Sequence, residues 1–236
     1  TAVGHEALRL NTTGTNTAVG SIALDANTTG TANSAFGRDA LGANTTGGSN
    51  VAVGQSSLAN NTTASNNVAV GISALLSNTT GTRNTALGVE ALKENTTATH
   101  NTAIGDRTMQ LNTTGGENTA VGTGALSHNL TGSKNTAVGR LALRYNTASN
   151  NTAVGWYALT SNTTGSVNVA VGYQALKNNT TGQYNTATGY ESLKANTTGN
   201  NNTAIGKSCL SLNTTGLRNT ALGQAALQKT QQQMIM

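Results

Sequence analysis

Apolar residues recur along the chain as two short pairs, each set among polar residues and glycine. The first pair is the Ala-Val within Asn16–Gly20, the second is Ala23–Leu24, and a polar Asn-Thr-Thr-Gly closes the unit at Asn27–Gly30. If the glycine after the first pair is position zero, fourteen such glycines run from Gly4 to Gly223. A chain that repeats one short phrase is a stack of small units that bury their apolar residues against their neighbours.

The repeat length sets the class of fold. Successive glycines lie 17 residues apart, except for spacings of 16 between Gly4 and Gly20 and between Gly139 and Gly155. This length is too short for two helices and a turn, so helical solenoids are excluded. Thr-Ala-Val favours a strand, and Asn-Thr-Thr-Gly favours a turn. The sequence therefore predicts an all-β, parallel β-solenoid of about 14 coils, each with two or three short strands.

The second short repeat locates the turn. Residues Asn146–Ser149 lack one residue of the usual Asn-Thr-Thr-x stretch. A loop tolerates the loss of a residue, whereas a paired strand would slip its register. We therefore expect Asn-Thr-Thr-Gly at or beside a turn.

Asparagine recurs at two repeat positions, four residues before the glycine and seven residues after it. Identical side chains on successive coils lie above one another, and stacked amides form hydrogen-bonded ladders. Asparagine also tolerates the left-handed turn conformation. We predict that these residues are structural, and in the first coils they are Asn16, Asn27, Asn33, Asn44, Asn50 and Asn61. The Asn-x-Thr sequences they create are either glycan acceptors in a secreted eukaryotic or archaeal protein or simply turn residues.

The paired apolar residues also suggest a partner. Neighbouring residues of a strand point to opposite faces, so a strand with one face in water should alternate apolar and polar residues. Ala18–Val19 and Ala23–Leu24 do not alternate. We expect one face to fill the coil, and the other face, built from Ala, Gly and Ser, to be covered by another copy of the chain. The sequence thus predicts a homo-oligomer.

Composition and charge narrow the class of protein further. Aromatic residues make up 3% and charged residues 9%, against roughly 25% charged residues in a typical soluble domain. The net charge of +5 comes with no run of Lys or Arg, so nucleic-acid binding is not indicated. The 21 charged residues occupy only five repeat positions, which therefore face solvent. No apolar run approaches the roughly 20 residues of a membrane span.

The residues with catalytic or metal-binding potential are scattered. His5, His100 and His128 occupy different repeat positions, and no metal, nucleophile or phosphate motif accompanies them. Cys209 fills an Ala/Ser position, which predicts a buried, inert thiol. Glu90, together with Glu94 in the same coil, is expected on a solvated surface. We predict no enzyme, no cofactor and no metal site.

One surface feature suggests a ligand. Trp156, Tyr173 and Tyr190 occupy the position after the repeat glycine on three successive coils, with Tyr157 beside the first and with Arg140 and Lys207 in the same position on the flanking coils. We expect an aromatic stripe with roughly the spacing of paired strands. Exposed aromatic residues mark binding sites, so one hypothesis is contact with a host glycan or another surface ligand. The alternative is stacking of the rings on each other or on a neighbouring subunit.

The phrase Asn-Thr-Ala-Val-Gly-x-x-Ala-Leu resembles the repeats in the head of trimeric autotransporter adhesins of the Yersinia type. With its Asn-Thr-Thr-Gly extension it is similar to repeats in tail fibres of bacteriophages and other viruses. The resemblance covers residues 1 to about 227 and implies a left-handed β-roll and a homotrimer, with Ala18 and Gly20 in tight positions. The departure from the adhesin pattern is the longer repeat with its extra turn.

The resemblance implies a non-enzymatic fibre or adhesin shaft, extracellular on a virion or a cell surface, that supports attachment to a host glycan or receptor. Two alternatives stay open, a self-assembling extracellular filament and an ice-binding β-solenoid. Residues 1–227 are expected to form the repeat domain. Residues 228–236 leave the pattern and are expected to be a tail or the start of another element.

Overall fold

The structure is a computed structural model that describes residues 1–228. Within this range the chain is all-β, contains no helix and forms one short strand in each repeat, followed by turns and bends. The described strands are β1 Ala2–Val3, β2 Thr17–Val19, β3 Ser34–Phe36, β4 Val51–Val53, β5 Val68–Val70, β6 Thr85–Leu87, β7 Thr102–Ile104, β8 Thr119–Val121, β9 Thr136–Val138, β10 Thr152–Val154, β11 Val169–Val171, β12 Thr186–Thr188, β13 Thr203–Ile205 and β14 Thr220–Leu222.

The chain divides into two compact units, residues 1–118 and the residues from 119 onward. Strands β1 to β7 belong to the first unit and β8 to β14 to the second. Inside each unit, every strand pairs in parallel with the next one along the chain, as Ala35 with Ala52 and Ala137 with Ala153. The predicted parallel β-solenoid with a turn of roughly 17 residues is confirmed. The prediction of two or three strands a coil is wrong, because only Thr-Ala-Val and its equivalents form strands. The turns of successive coils are also joined by backbone hydrogen bonds, as from Thr28 N to the carbonyl of Thr45, but without forming a second strand.

The short repeat in the second unit keeps its strand register. Thr152–Val154 pairs residue for residue with Thr136–Val138, although the spacing here is one residue shorter. The missing residue falls in the bend after Asn146, as expected. Its cost is local, because Asn146 Nδ2 lies 3.5 Å from Asn129 Oδ1 where other rungs of this ladder measure about 2.8 Å.

The interior of each coil is filled by the alanine of the strand and by the second apolar pair. Ala18, Ala23 and Leu24 are fully buried, and their equivalents repeat this burial except in the first and last described coils, where Leu8 is partly exposed and Leu227 is 49% exposed. The residue just before the glycine points outward instead, as Phe36 and Val53 do. The prediction that the Ala, Gly and Ser face lies outside is therefore wrong. The narrow coil has room for a methyl group, so the larger side chain of each Ala-Val pair takes the outer face.

The left-handed backbone conformation falls on three other positions of the repeat, among them the buried leucine, and not on the repeated asparagines. Leu24, Leu75 and Leu176 have φ near +50°, as does the equivalent leucine of other coils. An L-residue in this conformation costs roughly 1–2 kcal/mol. The expectation that the asparagines adopt it is wrong. The sharp turn is set by Leu24, whose amide donates to the carbonyl of Ala40 and whose carbonyl accepts from the amide of Asn27.

The predicted change of pattern over residues 228–236 falls almost entirely outside the described residues. Leu227 and Gln228 still belong to the turn that follows β14, and the amide of Gln228 donates to the carbonyl of Ala225 at 3.3 Å.

Candidate binding surfaces

An internal ladder of asparagines fixes the turns that carry the outer surfaces. In the position seven residues after the glycine, Asn44 Nδ2 donates to Asn27 Oδ1 at 2.8 Å, and Asn61 Nδ2 donates to Asn44 Oδ1 at 2.8 Å. The other amide hydrogen of Asn44 goes to the carbonyl of Gly47 at 3.0 Å. Each side chain therefore links two coils and also closes its own turn.

The asparagines four residues before the glycine form a second ladder by a different route. The backbone amide of Asn33 donates to Asn16 Oδ1 at 2.9 Å, and the amide of Asn50 donates to Asn33 Oδ1 at 3.0 Å. Asn33 Nδ2 reaches the carbonyl of Gly47 at 2.8 Å, the same carbonyl that Asn44 uses. The two columns thus meet at one turn and hold it from both sides.

This geometry bears on the Asn-x-Thr sequences. Asn27, Asn44 and Asn61 are fully buried, and both amide hydrogens of Asn44 are already donated. A glycan on Asn44 would need the side chain to leave the interior and would break the ladder. Burial therefore favours the turn interpretation for these residues.

The outer face of the strands carries an exposed apolar column in each unit, which we call the apolar ridge. It consists of residues that immediately precede the repeat glycine, and all are at least 36% exposed: Val3, Phe36, Val53, Leu87 and Ile104 in the first unit, and Val138, Val154, Val171, Ile205 and Leu222 in the second. No charged residue occurs between four residues before the glycine and the glycine itself. A strand face in water normally carries polar residues, so this ridge has the composition of an interface.

The aromatic residues singled out in the sequence come together in the second unit. The centroids of Trp156 and Tyr173 lie 5.9 Å apart with the rings edge to face, and Tyr173 stacks on Tyr190 at 5.1 Å. Tyr157 stacks on Trp156 at 5.6 Å. Trp156, Tyr173 and Tyr190 remain 36–47% exposed. The four side chains form one continuous aromatic stripe.

Cations close both ends of the aromatic stripe. The Arg140 guanidinium lies 5.7 Å from the centroid of Trp156, and Lys207 Nζ lies 5.9 Å from that of Tyr190. Lys177 Nζ lies 5.6 Å from the centroid of Tyr157. Each ring in the stripe therefore already contacts another ring or a cation, and these contacts compete with a ligand for the ring faces.

A shallow groove on another side of the second unit was not found from the sequence. It has a volume of about 450 Å³ and is lined by Thr181, Gln183, Tyr184, Thr198, Asn200 and Asn201. Tyr184 is 57% exposed, and its ring contacts no other aromatic ring among the described residues. The available signal was a single tyrosine in the variable position five residues before the glycine, a position that elsewhere holds Ala32 or Val167.

The acidic pair of the sequence analysis belongs to a surface ion-pair network in the first unit. Glu90 accepts from Lys93 Nζ at 3.2 Å, from Arg107 Nε at 3.1 Å and from Gln110 Nε2 at 2.8 Å. The hydrogen bond from Lys93, followed by that from Arg107, lowers the pKa of Glu90 below its usual value. Glu94 lies in the same network, 3.9 Å from Lys93 Nζ. A carboxylate held ionised in this way stabilises the surface and is not prepared to carry a proton.

The remaining reactive groups are held in structural roles. Cys209 is fully buried, its Sγ–H donates to the carbonyl of Ala221 at 3.3 Å, and burial raises its pKa. His128 packs against Tyr145 at 4.9 Å, and burial together with Arg144 lowers the pKa of the imidazole. No group of three or more His, Cys, Asp or Glu side chains in residues 1–228 is placed to hold a metal ion. The same residues include no helix long and apolar enough to cross a membrane.

Comparison with protein-family models finds no match, and neither a curated protein nor a solved structure matches the chain. The inferences about function therefore rest on the repeat, the apolar ridge and the exposed aromatic residues.

Proposed function

We propose that the chain is a non-enzymatic structural fibre or adhesin shaft that acts outside the cell, on a virion or a cell surface. The observation that carries the proposal is the apolar ridge on a solenoid whose coils are filled by alanine and leucine and joined by ladders of asparagine. A rigid, repetitive body with one apolar outer face suits a support built from several copies of itself. The resemblance of the repeat to adhesin heads and tail fibres points in the same direction.

The proposed partner for the apolar ridge is the ridge of other copies, in a homotrimer. Val53 and Val154 are exposed β-branched residues with no charge on the same strand face. Removing such side chains from water contributes about 25 cal/mol for each Å² buried. Around a three-fold axis, each copy presents the same column, so the contacts add along the length of each unit.

Analytical ultracentrifugation at micromolar concentration tests this assembly. We expect a species with three times the mass of the chain, and we expect Val53→Lys combined with Val154→Lys to reduce it to a monomer. Thr46→Lys is the matched control, because Thr46 is exposed on a turn away from the ridge. A wild-type monomer would overturn the proposal, and polymers of unlimited length would favour the self-assembling filament.

An ice-binding solenoid is a second candidate, favoured by one observation. The second threonine of the turn is exposed on successive coils of the first unit, as at Thr29, Thr46 and Thr63, and these residues form a regular column. The first threonine is partly buried instead, with Thr45 Oγ1 donating to the carbonyl of Thr62 at 3.1 Å. The turn therefore presents one column and not a flat double row. A thermal-hysteresis assay separates the candidates, since the fibre proposal expects no hysteresis.

A further inference from the structure

We propose that the groove around Tyr184 is a carbohydrate-binding site that takes a neutral sugar ring. The inference deepens the proposed attachment function and rests on it only for its biological setting. The aromatic stripe was the site expected from the sequence, but its rings already contact each other and three cations. The Tyr184 ring has no such partners among the described residues, and it lies beside polar groups that the fold does not use.

The two threonines of the Asn-Thr-Thr turn differ in their hydrogen bonds. The hydroxyl of the first bonds to the next coil, and the hydroxyl of the second does not. Thr180 Oγ1 donates to the carbonyl of Thr197 at 3.1 Å, and Thr197 Oγ1 donates to that of Thr214 at 3.1 Å. The second threonine of each turn, Thr181 and Thr198, lines the groove, and its hydroxyl forms no hydrogen bond with any described residue, although its backbone amide does. A hydroxyl both donates and accepts, so these two can meet the hydroxyl groups of a sugar.

Two amides complete the polar side of the groove. The side chains of Gln183 and Asn201 form no hydrogen bond with the described protein, while their backbones are tied together, Asn201 N donating to the carbonyl of Gln183 at 3.0 Å. Asn200 Oδ1 accepts from the amide of Gln183, which fixes the loop that carries Tyr184. Backbone hydrogen bonds thus hold the loop, and the side chains of Gln183 and Asn201 can bind a ligand.

The chemistry of these groups selects the ligand class. A sugar ring has an apolar face of C–H groups and a rim of hydroxyls that donate and accept. An exposed tyrosine ring covers the apolar face, and amides with both donor and acceptor atoms bind the rim. The groove offers no charged side chain among its lining residues, so a charged ligand gains nothing there. Its shallowness predicts weak binding to one site, which three copies on one fibre would strengthen through avidity.

Saturation-transfer NMR with methyl glycosides of glucose, galactose, mannose and N-acetylglucosamine tests the site. We expect at least one glycoside to bind at millimolar concentration and Tyr184→Ala to weaken it about tenfold, the loss of one ring contact. Tyr184→Phe should keep most of the affinity, because it keeps the ring. Alanine is compatible with this backbone, since Ala32 occupies the same repeat position at φ 57°.

Val167→Ala is the matched control, because Val167 occupies the same position one coil earlier and is also exposed. It should leave binding unchanged, as should Trp156→Ala in the aromatic stripe. The proposal is overturned if no glycoside binds, if Tyr184→Ala binds as the wild type does, or if only peptides bind the groove. Sugar binding is measured on single chains as well as on trimers, so its failure is distinguishable from a failure of the assembly.

Discussion

Removing one internal asparagine is expected to destabilise the first unit far more than removing its neighbour in the chain. Asn61 is fully buried. Its Nδ2 donates to Asn44 Oδ1 at 2.8 Å and to the carbonyl of Ala64 at 3.0 Å, and its Oδ1 accepts from Asn78 Nδ2 at 2.9 Å. Asn61→Ala therefore removes three hydrogen bonds from the interior.

The expected cost follows from what each partner loses. At about 1 kcal/mol for each hydrogen bond, the three bonds account for about 3 kcal/mol. Asn44 Oδ1 and one amide hydrogen of Asn78 are then buried without a partner, which raises the total to about 4 or 5 kcal/mol. The carbonyl of Ala64 is spared, because Asn50 Nδ2 still donates to it at 2.9 Å.

Urea unfolding, followed by circular dichroism at one fixed protein concentration, measures this loss. The matched control is Asn60→Ala. Asn60 is exposed, and its backbone amide alone enters the described hydrogen bonds, donating to the carbonyl of Leu76. Its substitution should change the free energy of unfolding by less than about 0.5 kcal/mol. Hydrogen exchange of the flanking coils should locate the weakened region. Equal midpoints for the two variants would refute the ladder as a source of stability.

Three further substitutions or treatments test other parts of the structure. Gly54→Ala should severely destabilise the first unit, because the added Cβ would lie 2.6 Å from the carbonyl oxygen of Gly71. Gly223→Ala is the control: its Cβ meets no atom within 4 Å, so only the positive φ opposes it, and it should lower the melting temperature less. Glu90→Gln should be less stable than the wild type near neutral pH, and the difference should shrink as pH falls below about 4.5. The reason is that a carboxyl whose pKa is lowered by folding adds stability only above its pKa in the unfolded chain. A difference in melting temperature that stays constant with pH would contradict this. Cys209 should react with a thiol reagent only as the protein unfolds, since it is buried and its pKa is raised; rapid labelling of the native protein would disprove that placement.

The fold could be predicted because the same residue types recur at the same positions of every coil. Three features together indicate a parallel β-solenoid: the period of 17 residues, the restriction of charge to five positions, and the loss of a residue in the turn at Asn146. The face that fills the coil could not be predicted, because Ala18 and Val19 are both apolar. Side-chain size decides between them, and it acts only once the closeness of neighbouring coils is known.

For the candidate sites too, the sequence shows what shares one repeat position and does not show what depends on contacts between coils. The aromatic stripe was visible because Trp156, Tyr173 and Tyr190 share one repeat position. The groove at Tyr184 was not, because it combines an aromatic residue with amides and hydroxyls of its own turn and of the same turn one coil later. Whether a hydroxyl is free depends on the hydrogen bonds of its neighbours, and the sequence treats the two threonines of each turn alike.

The constancy of the asparagines follows from the strain that they offset. One coil holds three residues in the left-handed conformation, Ala32, Asp39 and Leu41 in the third repeat, at a cost of roughly 1–2 kcal/mol each. Its two asparagines, Asn33 and Asn44, donate four hydrogen bonds, which at about 1 kcal/mol each contribute a stabilisation of the same order.

A coil that loses either asparagine keeps the strain without the compensation, so these positions cannot vary freely. Most variation falls where side chains leave the coil, as at the residue after the glycine, where Trp156 lies, and at the residue five before it, where Tyr184 lies. The largest differences between coils are therefore on the outer surface. Any specificity for a ligand must arise there, from single substitutions on a framework that is the same in every coil.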